Sequence, residues 1–335
     1  MKVAIIGAGS WGTAVANIAA ENVDAVLWAR RPELATSIND RRENCDYLPG
    51  LVLHPKLRAT DSIAHACAGA DAVVVGVPSH GLRSVLEQAV PCISTEVPVL
   101  SLAKGIEQHT LDRMTQVIAS VLVGHNPDRI GVLTGPNLAK EIVSGQPAAS
   151  VIAMGDPVAA DMLQNVFMTP TFRVYTNPDV VGCEIAGALK NVVAIAVGIA
   201  HGLGYGDNAK AGLITRGLAE LARLGMVMGG DSLTFAGLAG MGDLIATCSS
   251  PQSRNRSVGV ALGEGRKLSD IIAEMNMVAE GVKTTEAVLE LARRHGIDLP
   301  IAEFVGRILY EDADAATLVP ELMLRSAKSE LDGMR

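Results

Sequence analysis

The sequence predicts an α/β protein in which an N-terminal, doubly wound, mostly parallel sheet is followed by an all-helical domain. Three observations carry that prediction. Short apolar runs without periodicity alternate with helical stretches through the first half of the chain. A glycine-rich turn follows the first of those runs, and after Asn177 the texture turns helical throughout. Strands buried on both faces lose the apolar–polar alternation, and such strands belong to parallel sheets covered by helices.

In chain order the expected strands are VAIIG (3–7), VLW (26–28), DAVVVGVP (71–78), VPVLSLAKG (97–105), IGVLTGP (130–136), AASVIAM (148–154) and TFRVYT (171–176). The first five each close at a glycine, a proline or a charged loop. Helices are expected between them at 11–21, 32–43, 79–89, 108–121 and 157–167. From Pro178 onward the pattern gives helices at 178–201, 208–228, 253–264, 268–274, 281–296, 300–310 and 320–330, parted by turns such as HGLGYGDN and HGIDLP. The division is drawn as 1–180 and 181–335, with the join inside 177–190.

Composition narrows the function. The 335 residues include 28 basic and 36 acidic side chains, a net charge of −8, with no basic stripe. That balance argues against extended polyanions such as nucleic acid or an anionic membrane, while leaving room for a local basic pocket. The opening MKVAIIGAGSWG is not read as a secretory leader, because its apolar run breaks at once into glycines. The apolar stretch from Gly187 to Ala200 is too short for a membrane span and is interrupted by Lys190 and Asn191. Five scattered cysteines without a CxxC read as reduced thiols of a cytoplasmic protein. Seven scattered histidines without an HExxH motif give no reason to expect a metal site.

The segment Gly7-Ala8-Gly9-Ser10-Trp11-Gly12 is GxGxxG placed directly after a strand and opening a helix. The first glycine permits the tight turn, the second lets a pyrophosphate approach the backbone, and the third allows close helix–strand packing. Exposed N–H groups at the helix start then receive the diphosphate. The N-terminal domain is therefore expected to be Rossmann-like and to bind a dinucleotide. Past the second strand, where NAD-selective sites place an acid, the chain has Arg30 and Arg31. Guanidinium groups pair with a 2′-phosphate, so NADPH is favoured and NADH stays open.

Lys104 ends an apolar strand at the sheet edge where open α/β sheets bind ligands. Lys190 lies inside the apolar GALKNVVAIAVG helix, where burial disfavours the charged ammonium and readies a lysine for proton transfer. Asp243 follows Gly240-Met241-Gly242 and lies beside Thr247-Cys248-Ser249-Ser250, and Ser253-Arg254-Asn255 offers a hydroxyl, a cationic fork and an amide for a phosphate. Two other readings fit the same pattern: a dehydrogenase acting on a hydroxy acid or sugar acid, or a sensor that binds NADPH without turnover.

With these motifs the chain resembles the NAD(P)-dependent glycerol-3-phosphate dehydrogenases of the bacterial type over essentially its whole length. The resemblance is carried by GAGSWG at 7–12, ARR at 29–31, LAKGIE at 102–107, GPNLAKE at 135–141 and GALKNVVAIAVG at 187–198. It continues in GLGYGDNAKAGLITRG from 202, GLAGMGDLIATCSSPQSRNRSVG from 237 and VAEGVKT from 278. It implies reversible conversion of dihydroxyacetone phosphate and sn-glycerol 3-phosphate for phospholipid synthesis, by a homodimer whose helical domain is 6-phosphogluconate dehydrogenase C-terminal-like. Under it, Gly7, Gly9, Ser10, Trp11, Gly12, Arg30, Arg31, Tyr47 and Ala139 hold the dinucleotide. Lys104 stands between cofactor and substrate, with Gly135 and Asn137 on the substrate. Lys190 is implied as the proton donor and acceptor. Asp243, Ser253, Arg254 and Asn255 are implied to hold the phosphorylated triol, Arg254 also touching the cofactor, while Val278 and Glu280 close on the nicotinamide side. Asn137 stands where many relatives carry Ser or Thr, which exchanges a hydroxyl for an amide at that contact.

Overall fold

The computed structural model describes residues 1–275, 279–327 and 329. Eight strands form one sheet: β1 (Lys2–Ile6), β2 (Asp24–Trp28), β3 (Arg58–Thr60), β4 (Ala72–Val75), β5 (Val99–Ser101), β6 (Ile130–Thr134), β7 (Ala148–Ala153) and β8 (Phe172–Asn177). Their order is β3-β2-β1-β4-β5-β6-β7-β8, and every neighbouring pair is parallel except β6 with β7. The fold class read from the sequence is the one observed.

Alternate residues of the same strands enter two different cores, which is how a sheet covered on both faces must look. Val3, Ile5, Leu27, Val74 and Leu100 face one core, completed by Val15 of α1 (Ser10–Asn22) and by Leu163 and Phe167 further on. Ala4, Ile6, Val26, Val75 and Val99 face the other, completed by Leu82, Leu86, Val117 and Ile118. The remaining helices of this part are α2 (Pro32–Arg41), α3 (Ile63–Cys67), α4 (Ser79–Ala89), α5 (Met114–Val121), α6 (Ala139–Val143) and α7 (Pro157–Phe167). The helix expected over 108–121 begins only at Met114. Leu111 has φ +64, a left-handed conformation that no α-helix can contain, and its side chain joins Ile106 in the helical core.

By internal contacts the chain forms two units, one of Met1–Lys104 with Asp112–Val180 and one of Gly105–Leu111 with Val181–Arg335. The second contains α8 (Val180–Gly202), α9 (Asp207–Val227), α10 (Ser232–Ala236), α11 (Asp243–Ser249), α12 (Arg254–Gly263), α13 (Leu268–Glu274), α14 (Glu280–His295), α15 (Pro300–Tyr310) and α16 (Ala315–Met323). The last begins five residues before the expected 320, because Asp314 Oδ1 caps it by accepting from Ala316 N at 3.0 Å. Lys328 and Glu330 of that expected helix lie outside the described residues. Helix α8 is long and apolar enough to cross a membrane by length and composition, yet 89% of its apolar window is buried inside the fold.

Glycines let α8 and α12 meet backbone to backbone. A Cβ on Gly259 would lie 2.1 Å from Ile195 O, and one on Gly198 would lie 2.2 Å from Arg256 O. Gly202 and Gly263 repeat the contact one turn on, each 3.0 Å from the other's Cα by the same construction. A stripe of Gly-x-x-x-Gly on both helices thus removes the side chains that would hold their axes apart.

Candidate active site

The glycine turn sits at the topological switch of the sheet, where β1 has β2 on one side and β4 on the other. Gly7 follows β1 with φ +120, which an L side chain rarely adopts. A Cβ on Gly12 would lie 2.0 Å from Gly7 O, so the start of α1 packs directly on the turn. Gly9, by contrast, has nothing within 4 Å of where its Cβ would be. Two of the three glycines are therefore needed by the fold, and the third leaves a space that the protein itself does not fill. Trp11 Nε1 is buried without a protein partner among the described residues, an orphaned donor at the same helix start. Those features fit a dinucleotide diphosphate.

Around this turn the other expected cofactor residues take definite places. Ser10 Oγ donates to Tyr47 O at 3.2 Å, tying the half-buried Tyr47 loop to α1. Arg30 is exposed beyond β2, and Arg31 is the N-cap of α2. Ala139 opens α6, a helix packed on α1. Asn44, which sequence reasoning missed, is fully buried here, its Nδ2 donating to Ala8 O at 3.0 Å and to Thr13 Oγ1 at 2.8 Å.

Lys104 Nζ donates to Gly135 O at 3.0 Å, bringing together two residues from the ends of β5 and β6. Gly135 has φ +133, and its missing Cβ would meet Ser150 Cα at 3.2 Å. Asn137 Nδ2 donates to Ser150 Oγ at 3.1 Å, which in turn donates to Thr134 O at 2.7 Å. Asn137 Oδ1 is left buried with no partner among the described residues, an acceptor available to a ligand hydroxyl.

In the helical unit, Lys190 is 5% exposed and Asp243 2% exposed, with Nζ and Oδ1 3.2 Å apart. Thr247 Oγ1 accepts from Lys190 Nζ at 2.7 Å and lies 3.3 Å from Asp243 Oδ1. Asp243 and Thr247 are four apart on α11, hence on one face. A π-helical turn at Leu238–Gly242 delivers that face, and Gly240 in it presses on the Phe235 backbone, 2.2 Å from Phe235 O to its missing Cβ. Thr247 is the residue that sequence reasoning left without a role, although its i, i+4 spacing from Asp243 was there to find.

Ser253 caps α12, its Oγ accepting from Arg256 N at 3.3 Å. Arg254 starts that helix, and burial lowers the pKa of its guanidinium from the ordinary value against the opposing charge of the Glu280 carboxylate. Asn255 is buried and committed within the protein, Nδ2 donating to Asn191 Oδ1 at 2.9 Å and Oδ1 accepting from Gly281 N at 2.9 Å. The amide thus holds α8, α12 and the start of α14 together. Val278 lies outside the described residues. Among the described residues no group of three or more His, Cys, Asp or Glu is placed to hold a metal ion.

A glycine turn at the switch of a doubly wound sheet, and a buried lysine–carboxylate pair in an all-helical unit, are the parts of an NAD(P)-dependent oxidoreductase. The family described as NAD-dependent glycerol-3-phosphate dehydrogenase matches residues 2–160 by its N-terminal part and 179–320 by its C-terminal part. The chain belongs to that family. It is 57% identical over 305 residues to glycerol-3-phosphate dehydrogenase (NAD(P)+) 2 of Sphingopyxis alaskensis, covering 91% of each chain. The corresponding protein of Thermobifida fusca is 52% identical over 336 residues, covering 99% of each. A crystal structure of glycerol-3-phosphate dehydrogenase from Coxiella burnetii superposes with a TM-score of 0.90 at 36% identity, over 97% of this chain and 99% of that one.

Proposed function

We propose that the protein is a glycerol-3-phosphate dehydrogenase that interconverts dihydroxyacetone phosphate and sn-glycerol 3-phosphate with NADPH or NADH, NADPH being preferred, and so supplies glycerophospholipid synthesis. The observation that carries this reading is the Lys190–Asp243–Thr247 cluster, a buried ammonium held by a carboxylate and a hydroxyl. When bound, the reduced nicotinamide supplies the hydride for C2 of the substrate.

Lys190 gives its proton to the oxygen on C2 as that oxygen gains negative charge, and takes it back in the oxidative direction. Asp243 and Thr247 fix the direction of Nζ, so that positive charge faces the developing alkoxide without reorganisation. Arg254, with Ser253 and Asn255 beside it at the start of α12, receives the phosphate as a cationic fork on a helix N-terminus. Lys104, Gly135 and Asn137 bind the substrate from the strand ends, and Lys104 also faces the dinucleotide. Gly7, Gly9, Ser10, Trp11, Gly12, Arg30, Arg31, Tyr47 and Ala139 hold the dinucleotide, and the family resemblance adds Arg254, Val278 and Glu280 to that set. In this reading 1–180 is the dinucleotide domain and 181–335 the substrate domain. The working form is a cytoplasmic homodimer, in keeping with five free cysteines and with the prevalence of twofold assemblies.

Loss of absorbance at 340 nm on mixing protein, dihydroxyacetone phosphate and NADPH tests the activity directly. Turnover should be slower with NADH, and absent with non-phosphorylated dihydroxyacetone. A protein that consumes NADPH equally fast with the unphosphorylated ketone contradicts the phosphate role of Arg254.

A further inference from the structure

The loop after α2 sets an acidic side chain on the arginine assigned to the 2′-phosphate. Arg31 is ion-paired through its guanidinium to Oδ2 of Asp46. Asp46 has a fixed position relative to the glycine turn. Two residues before it, the buried Asn44 donates to Ala8 O in the turn and to Thr13 Oγ1 on α1, and accepts from Tyr47 N at 3.1 Å. One residue after it, Tyr47 O accepts from Ser10 Oγ. Of the charged side chains nearest it in the loop, Arg42 donates to Leu57 O at 2.8 Å and Glu43 accepts from Gly50 N at 2.7 Å. Asp46 Oδ1 takes the Cys45 thiol at 3.7 Å, leaving Oδ2 for Arg31.

We propose that Asp46 is a specificity-determining residue for the dinucleotide: its carboxylate occupies Arg31 where a 2′-phosphate would, and so holds down the preference for NADPH over NADH. The inference rests on the dinucleotide site proposed above. A 2′-phosphate must displace Asp46 from the guanidinium and then lie beside a like charge. A 2′-hydroxyl does neither, and a carboxylate is the group that accepts from it in NAD-selective sites. An arginine with its own internal acid therefore serves both cofactors, where an unshared arginine would serve one. Arg31 and Asp46 side chains are 52% and 37% exposed, so water and salt screen the pair and the effect is a few-fold one.

Equilibrium binding of NADPH and NADH to the full chain without substrate, followed by quenching of tryptophan fluorescence, tests this independently of turnover. Asp46→Asn should tighten NADPH by about three- to tenfold at low ionic strength and leave NADH within about twofold or weaker. The gain should shrink in about 0.5 M salt, as an exposed charge effect must. It should also shrink when Arg31→Ala is combined with Asp46→Asn, whereas Asp46→Glu should keep the parent ratio. An unchanged ratio of NADPH to NADH affinity in folded Asp46→Asn, with the parent binding both, overturns the role of Asp46 alone. A parent that binds neither dinucleotide overturns the site and the role together.

Discussion

Lys190 and Asp243 face each other 3.2 Å apart in the helical unit, both almost wholly removed from solvent. Burying two charges is unfavourable unless each is satisfied, and Thr247 completes the arrangement by accepting from the lysine. An apolar pair of similar volume would serve stability as well or better. In the proposed reaction the members of the cluster should separate by role. Lys190→Ala should lower kcat by about two to four orders of magnitude. Thr247→Val, which removes one hydrogen bond to a charged group, should lower it by about tenfold, and Thr247→Ser should recover most of that. Steady-state kinetics with circular dichroism on the three variants checks this.

The glycine turn separates needs of the fold from needs of the ligand. Gly12→Ala drives a Cβ onto Gly7 O and should reduce stability by about 3 kcal/mol or more. Gly9→Ala places its methyl in open space and should stay within about 1 kcal/mol of the parent while losing dinucleotide affinity. Denaturant unfolding beside NADPH titration distinguishes the two. Equal stability loss in both variants contradicts the assignment.

Glu220 supplies a pH signature away from the chemistry. Its carboxylate is 4% exposed and accepts from Ile301 N at 2.8 Å and Ala302 N at 3.3 Å, capping α15 from α9. Burial raises its pKa from 4.5 to about 7, against those hydrogen bonds and the Arg223 charge, with Asp298 adding to the rise. Between these values the native state holds a proton that the unfolded chain has released. Stability then falls as pH rises from about 4.5 to about 7 and levels off above, by about 3 kcal/mol in all. Glu220→Gln should flatten that slope in chemical denaturation between pH 5 and 8. A slope identical to the parent's removes Glu220 as its source.

The α8–α12 contact predicts a steep penalty for one methyl. Gly259→Ala would bring Cβ to 2.1 Å from Ile195 O, where the obstacle is backbone and cannot rotate away. Overpacking of this kind should destabilise by about 3 kcal/mol, visible as a lower Tm. Gly265→Ala on the same stretch, with nothing within 4 Å but φ +85, should lose about 1 kcal/mol from backbone strain alone.

What was legible in the sequence follows from where burial comes from. The central strands were plain because both faces of the sheet are covered, so AVVV at Ala72–Val75 reads as an unbroken apolar run. Strand β3 was invisible, being a three-residue edge strand, Arg-Ala-Thr, with no apolar run to announce it. Lys190 stood out as a charge in an apolar helix, and Asn191 beside it proved to hold Asn255. Asn44 gave no signal, since ENCDYLPG reads as a solvated loop and its amide reaches Ala8 and Thr13, more than thirty residues back along the chain. The π-helical turn before Asp243 was equally hidden, because a one-residue change in helical pitch leaves no compositional mark.

The glycine stripes on α8 and α12 act as a keyed joint. Sliding either helix along the other by a residue would drive a Cα into a carbonyl, so the pair has one axial setting. Lys190 is carried on one member and Ser253, Arg254 and Asn255 stand at the head of the other. Their spacing is set by covalent backbone dimensions, with no rotamer in the joint to creep or expand. Warming the protein should therefore leave the distance from Lys190 to the head of α12 constant until the joint parts.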